Sequence, residues 1–118
     1  SMNKLFIFSL FFVLLLGSGF TAKEMIPTSL KINIRNDLGN IESGVVVTLY
    51  GNETDFQQEK NPIQSGETND KGMVTFKGLE AKIYYVAAVK GDKNNYGAGV
   101  QTGKLEAKKV NKVTIIIE

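Results

Sequence analysis

The residues that could carry chemistry in this chain are acids, amides and aromatic rings in two polar segments, 51–66 and 91–103. In the first segment, Glu53, Asp55 and Glu59 could supply the two carboxyl groups, about 5 to 10 Å apart, that glycoside cleavage requires. Acids in a polar loop are more often simply solvated. We therefore predict that these acids are not catalytic and that the protein is not an enzyme.

Oxygen atoms in the second segment raise the question of a calcium site. Asp92, Asn94 and the backbone around Tyr96 and Gly97 could offer ligands to Ca²⁺, which takes about six to eight oxygens. The segment lacks the closing glutamate and the spacing of a calcium-binding loop. A hydrogen-bonded turn explains these residues better, and we predict no metal and no cofactor.

Two aromatic residues in the polar segments are candidates for binding. Phe56 and Tyr96 could each stack on a sugar or anchor a protein partner, because loops carry binding residues more often than strands do. The alternative is that both rings pack under their own loops and cap the core. Together with Asp92, Asn94 and Asn95, they form the predicted partner-binding or ligand-binding set.

The composition excludes several classes of function. The chain has 118 residues and a formal charge of +2, with no cysteine, histidine or tryptophan. Without histidine or cysteine there is no Ser-His-Asp or Cys-His relay and no ordinary zinc site. The near-neutral charge argues against nucleic acid, which requires a dense basic surface. A basic excess at Lys108, Lys109 and Lys112 is explained by an exposed strand edge.

The N-terminus has the features of an export signal. Met2, Asn3 and Lys4 form a short positive start, residues 5–16 are apolar apart from one serine, and small residues follow at 17–19. The apolar run is shorter than the roughly 20 residues that span a bilayer. We predict a signal peptide over 1–19, with Ser1 left over from expression, and no stable membrane span after cleavage. We then expect the mature protein to be periplasmic or extracellular. Association with the outer membrane is a further alternative.

After a short lead over 20–29, the chain from 30 to 118 has the alternating pattern of β-strands. Leu30, Ile32 and Ile34 alternate with polar residues, and residues 45–50 alternate in the same way after a turn, as in a hairpin or its sandwich equivalent. A polar cluster ending at Gly72 predicts a tight turn into a half-buried strand that contains Val74 and Phe76.

The remaining elements follow from the same signals. Residues 83–89 are β-branched, aromatic or small, which predicts a strand covered on both faces, and the last strand is predicted from Val113 to Ile117. Residues 51–66 are predicted as a long loop with a short edge strand near Ile63. No segment carries the apolar periodicity of an amphipathic helix. About seven strands predict an all-β, antiparallel Greek-key sandwich.

Several of these segments together resemble a known family. Residues 43–49 (SGVVVTL), 68–76 (TNDKGMVTF) and 79–84 (LEAKIY) are similar to the pattern of the carboxypeptidase regulatory-like domain, a transthyretin-like, or prealbumin-like, β-sandwich. The resemblance implies that fold. It also implies a non-catalytic module of the kind found beside enzymes, in surface proteins and in outer-membrane transport systems.

A related group of surface-protein domains forms internal Lys–Asn isopeptide bonds. The position of the reactive lysine in that group falls on Ile34 in this chain, which cannot form the bond. Asn111 and Glu80 are accordingly predicted to be a turn amide and a solvated acid.

Two hypotheses about function follow. The first is an exported, non-catalytic module that binds a protein partner, as an accessory subunit of a bacterial envelope complex. The alternative is a domain that binds carbohydrate or another small ligand through the loops at 51–66 and 91–103. An enzyme is the least favoured class, because the residues of the common relays are absent.

Overall fold

The computed structural model describes residues 26–118 as two packed β-sheets with one short helix. The predicted signal peptide and residues 20–25 of the predicted lead lie outside the described residues. The elements, in chain order, are β1 (Ser29–Asn36), β2 (Val46–Tyr50), α1 (Glu53–Gln58), β3 (Gln64–Glu67), β4 (Met73–Phe76), β5 (Tyr85–Lys90), β6 (Lys93–Asn94) and β7 (Val110–Ile117). The predicted seven-stranded β-sandwich is confirmed.

The first sheet has three strands in the order β4-β1-β7, and the second has four in the order β3-β2-β5-β6. Alternate residues of β1, β2, β4, β5 and β7 point into the space between the sheets, where they form the core. The predicted alternation of Leu30, Ile32 and Ile34 is confirmed, since all three are fully buried. Across the strand pair, Leu30 lies opposite the buried Phe76.

Strand pairing departs from the antiparallel prediction in one place. β1 and β7 are parallel over their full length, whereas the other strand pairs in the two sheets are antiparallel. β1 and β2 belong to different sheets, so of the two predicted alternatives the structure has the sandwich equivalent and not the hairpin. Residues 37–44 cross between the layers, and Gly44 takes a φ of 69° where it donates a hydrogen bond to the Thr68 carbonyl.

The turn predicted at Gly72 is confirmed and joins the two sheets. The Asn69 side-chain oxygen accepts hydrogen bonds from the backbone N–H groups of Lys71 and Met73, which closes the turn. Gly72 has a φ of 73°, and a Cβ atom there would lie 2.9 Å from the Ile34 carbonyl oxygen. Glycine is therefore required both by the backbone conformation and by the close approach of β1.

The prediction that 51–66 is a loop without a helix is wrong for residues 53–58, which form α1. Asn52 caps the helix, since its side-chain oxygen accepts a hydrogen bond of 2.8 Å from the Asp55 N–H. The helix ends at Glu59, which takes a left-handed conformation. With six residues, α1 is too short to show an apolar stripe, so periodicity could not reveal it.

Two smaller predictions can be compared with the strand bounds. The edge strand expected near Ile63 is present as β3, one residue further along the chain, at the edge of the second sheet. The last strand begins at Val110, earlier than predicted, because its polar first residues pair with β1. α1 is the helix in the described range, and it is neither long nor apolar enough to cross a membrane.

Candidate binding site

α1 lies against the outer face of the four-stranded sheet, where it contacts β2 and β5. Its central aromatic residue, Phe56, packs against three tyrosine rings. The ring centroids lie 5.9 Å from Tyr50, 6.1 Å from Tyr85 and 6.0 Å from Tyr96. These distances and the mostly edge-on geometry are those of favourable aromatic pairs. The four residues are called the aromatic cluster below.

The aromatic cluster brings together the two polar segments in which binding residues were predicted. Phe56 comes from α1 in the first segment, and Tyr96 comes from the turn after β6 in the second. The backbone N–H of Tyr96 donates to the Asn94 side-chain oxygen at 3.0 Å, which holds the start of this turn. The sheet strands supply Tyr50 and Tyr85 as the base on which both rings pack.

The two predicted aromatic residues differ in exposure. Phe56 is half-buried between the tyrosines on the outer face of the sheet, whereas Tyr96 is 49% exposed at the rim of the cluster. Tyr50 lies beneath and is only 6% exposed. Tyr96 is therefore the ring available to a partner, and Phe56 is the ring that supports it.

Asn95, which was predicted as a binding residue, has a structural role instead. Its side chain is 0% exposed, so it does not face solvent or a ligand. The side-chain oxygen accepts from the Ala88 N–H at 2.9 Å, and the amide donates to the carbonyls of Val86 at 2.8 Å and Gly99 at 3.1 Å. These bonds tie the segment after β6 to β5. Asn95 lies in a polar segment of the sequence, and no neighbouring residue indicates that its side chain is buried.

Of the other two polar candidates, Asn94 adjoins the aromatic cluster and Asp92 lies in the turn before β6. Asp92 is in the exposed turn between β5 and β6, at the far end of β5 from Tyr85, roughly 17 Å along the strand. Asn94 is half-buried, and its backbone exchanges two hydrogen bonds with Glu118, of 3.1 and 3.0 Å. Asn94 therefore positions Tyr96 and the end of β7.

Burial and charge combine at Tyr50. Burial of the Tyr50 hydroxyl raises its pKa above the ordinary value of 10.0, and unfavourable Coulombic interactions of its phenolate with Glu59 and with Tyr96 raise the pKa further. The neutral phenol is thus the form that fits the aromatic cluster.

The acids of the first segment serve the helix. The Asp55 carboxylate accepts hydrogen bonds from the side-chain amides of Asn52, at 3.0 Å, and Asn61, at 3.4 Å, and Glu53 accepts from Gln57 at 3.1 Å. Acids in the first turn of a helix are also favoured by its dipole. Within residues 26–118 there is no group of three or more acids placed to hold a metal ion.

A groove that sequence reasoning missed lies beside the start of α1. It has a volume of 430 Å³, and its lining includes Ile83 and Tyr85, with Glu53, Lys82 and Lys104 around them. These residues come from three separate parts of the chain, and only folding brings them together. The groove combines an apolar floor with charged groups, as small-ligand sites do.

Comparisons with known proteins place few limits on function. No family model matches the chain, and no curated protein matches it. Among solved structures, the chain is similar to the Bacillus anthracis TIE protein, with 20% identity and a TM-score of 0.48. The match covers 77% of this chain and 16% of that protein. The resemblance to the carboxypeptidase regulatory-like domain accordingly stays a prediction.

Proposed function

We propose that this protein is an exported, non-catalytic β-sandwich module that binds a protein partner, as an accessory subunit of an envelope complex. Its family is the carboxypeptidase regulatory-like, or transthyretin-like, group. Export is supported by the signal-like N-terminus, with cleavage near Phe20 and a periplasmic or extracellular location.

One observation carries the proposal, namely the half-exposed ring of Tyr96 on a rigid base. The ring rests on Phe56, which in turn packs on two sheet tyrosines. Tyrosine loses little conformational entropy on binding, and partially exposed rings on a pre-organised surface are frequent energetic centres of protein interfaces. Val46, also 49% exposed, lies on the outer face of the same sheet, at the end of β2 remote from Tyr50.

The test is affinity purification of the tagged full-length protein from its own cell envelope, with mass spectrometry of the bound proteins and of the mature N-terminus. Tyr96→Ala should reduce recovery of a stoichiometric partner about tenfold or more, as loss of a central aromatic contact does. The matched control is Leu38→Ala, because Leu38 is 81% exposed and lies in the turn after β1. Equal recovery with both variants, or a wild-type protein that brings no partner, contradicts the proposal.

The alternative of a carbohydrate or other small ligand is favoured by one observation, the 430 Å³ groove beside α1. A glycan array and a small-ligand screen would test it, with Lys104→Gln and Lys60→Gln as matched variants. Lys104 lines the groove and Lys60 does not, although both are exposed. Loss of a screening hit in the first variant alone would support the ligand hypothesis.

A further inference from the structure

β7 is an edge strand with a free side. All eight of its residues pair with β1, and beyond its end Glu118 exchanges two hydrogen bonds with Asn94. On the other side of β7, no described residue between 26 and 118 bonds its backbone over 110–117. The strand is long and rich in β-branched residues. A free edge of this kind is a template for another strand.

The sandwich is open along this same edge. A cleft of 330 Å³ lies between the sheets, with Val86 among its lining residues, Val113 and Ile115 on the β7 side and residues 98–103 on the other side. The second sheet is extended here, because Tyr85 pairs with Gln101. Among residues 26–118, the first sheet has no strand at the corresponding place, so it has three strands where the second sheet has four.

A strand added to β7 would complete the shorter layer. Its backbone would bond the free edge, and alternate side chains would point into the cleft toward Val86, Val113 and Ile115. Val86, Val113 and Ile115 are apolar, whereas the opposite wall includes Gln101 and Thr102. The inward positions of the added strand that face β7 should therefore be apolar. The remaining positions would lie on the outer face, beside Lys112 and Thr114.

The outer face of the three-stranded sheet is positively charged. Lys112 lies directly opposite Lys31 across the β1–β7 pair, and Arg35 follows on the same face. Within the described part of the chain, no acid lies within 4.0 Å of these three cations. Like charges directly opposite each other destabilise a sheet. Acidic side chains at the outward positions of an added strand would relieve this repulsion.

We propose that β7 binds an extended segment of a partner protein, in which apolar residues alternate with acidic ones, by strand addition. A second copy of β7 is less suitable, because its one charged residue is Lys112. Residues 1–25 also lack the acidic side chains that would complement this face, since their charged residues are Lys4, Lys23 and Glu24. Tyr96 does not line the cleft. This proposal therefore goes beyond the proposed function and does not depend on the Tyr96 ring.

The first test uses a synthetic eight-residue peptide of alternating valine and glutamate with the full-length protein. Binding would be followed by NMR and by hydrogen exchange of the β7 amides that do not bond β1. Two N-methylated versions of the peptide form a matched pair, since alternate residues of a strand bond opposite edges. One version should lose binding and the other should retain it. Equal binding of both versions overturns strand addition.

The second test reverses the charge. In Lys112→Glu, affinity for the valine–glutamate peptide should fall about tenfold or more, and a valine–lysine peptide should gain, because like charges across an interface are strongly unfavourable. Tyr96→Ala should bind both peptides as the wild type does, which separates this result from failure of the proposed function. Absence of peptide binding overturns the proposal. So does protection of the free-edge amides before peptide is added, which would show that residues 1–25 or a second copy already occupies the edge.

Discussion

At the scale of single residues, two aromatic side chains of this protein lie in opposite environments. Phe76 is 2% exposed and packs in the core opposite Leu30, whereas Tyr96 lies at the rim of the aromatic cluster. Phe76→Ala should lower the free energy of unfolding by about 3 to 5 kcal/mol, as truncation of a buried ring does. Tyr96→Ala should cost less than about 1 kcal/mol. Denaturant melts of both variants measure this, and equal small effects would mean that the inward face is misassigned.

Tyr50 should make the protein sensitive to alkali. Its pKa is raised in the folded state, so the folded protein holds the phenol proton more tightly than the unfolded chain does. The stabilisation is complete below the ordinary pKa of 10.0 and is lost as the pH rises through the higher folded value. Melts of wild type and Tyr50→Phe should therefore diverge above pH 10, with the variant losing less stability. Parallel pH profiles would contradict this.

At the scale of residues, the sequence predicts those features whose determinants are neighbours in the chain. The turn at Gly72 was predicted because the polar residues that close it and the glycine that it needs are neighbours in the chain. Asn95 was misjudged because its partners lie on β5 and at Gly99, and nothing near it in the sequence shows that it is buried. The sequence predicts Tyr50 and Tyr85 only as strand residues, because the helix that packs on them is too short to predict.

At the scale of elements, α1 depends on its cap more than on its length. Helices of six residues are unstable alone. Here the Asn52 cap and the packing of Phe56 compensate. Asn52→Ala should cost about 1 kcal/mol. The near-ultraviolet circular dichroism of the tyrosines should weaken as Phe56 loosens.

The control for the helix cap is Gln58→Ala, which changes an exposed residue in the last turn of the same helix. It should leave both the melt and the tyrosine signal unchanged. If both variants behave alike, the helix is held by the packing of Phe56 alone.

At the scale of the whole molecule, the turn between β3 and β4 links the two sheets through Gly72. Gly72→Ala should be clearly destabilising, because alanine would be in the left-handed region and its Cβ would meet the Ile34 carbonyl at 2.9 Å. Gly78→Ala is the matched control, since Gly78 has a similar φ of 70° but nothing within 4 Å of the added atom. The control should cost about 1 to 2 kcal/mol.

Thermal melts of the two glycine variants give the comparison. The difference in melting temperature between the two variants measures the effect of the close approach of β1 to the turn. The cost of placing alanine in the left-handed region is common to both variants. A Gly72→Ala variant no less stable than Gly78→Ala would show that β1 and the turn move apart easily.

The sequence by itself determined the longer strands, their inward faces and the turn glycine. These features depend on the alternation of apolar and polar residues and on residues that are neighbours in the chain, so a short segment contains the information. The sequence did not show β6, which lies within the segment 91–103 that was predicted as a loop. Only the tertiary structure decided which strands pair. The parallel β1–β7 pair, the contact of Phe56 with Tyr96 and the open cleft beside β7 all join residues far apart in the chain. Such pairings reflect the packing of the whole core and the closure of every loop at once, and no short segment contains that information.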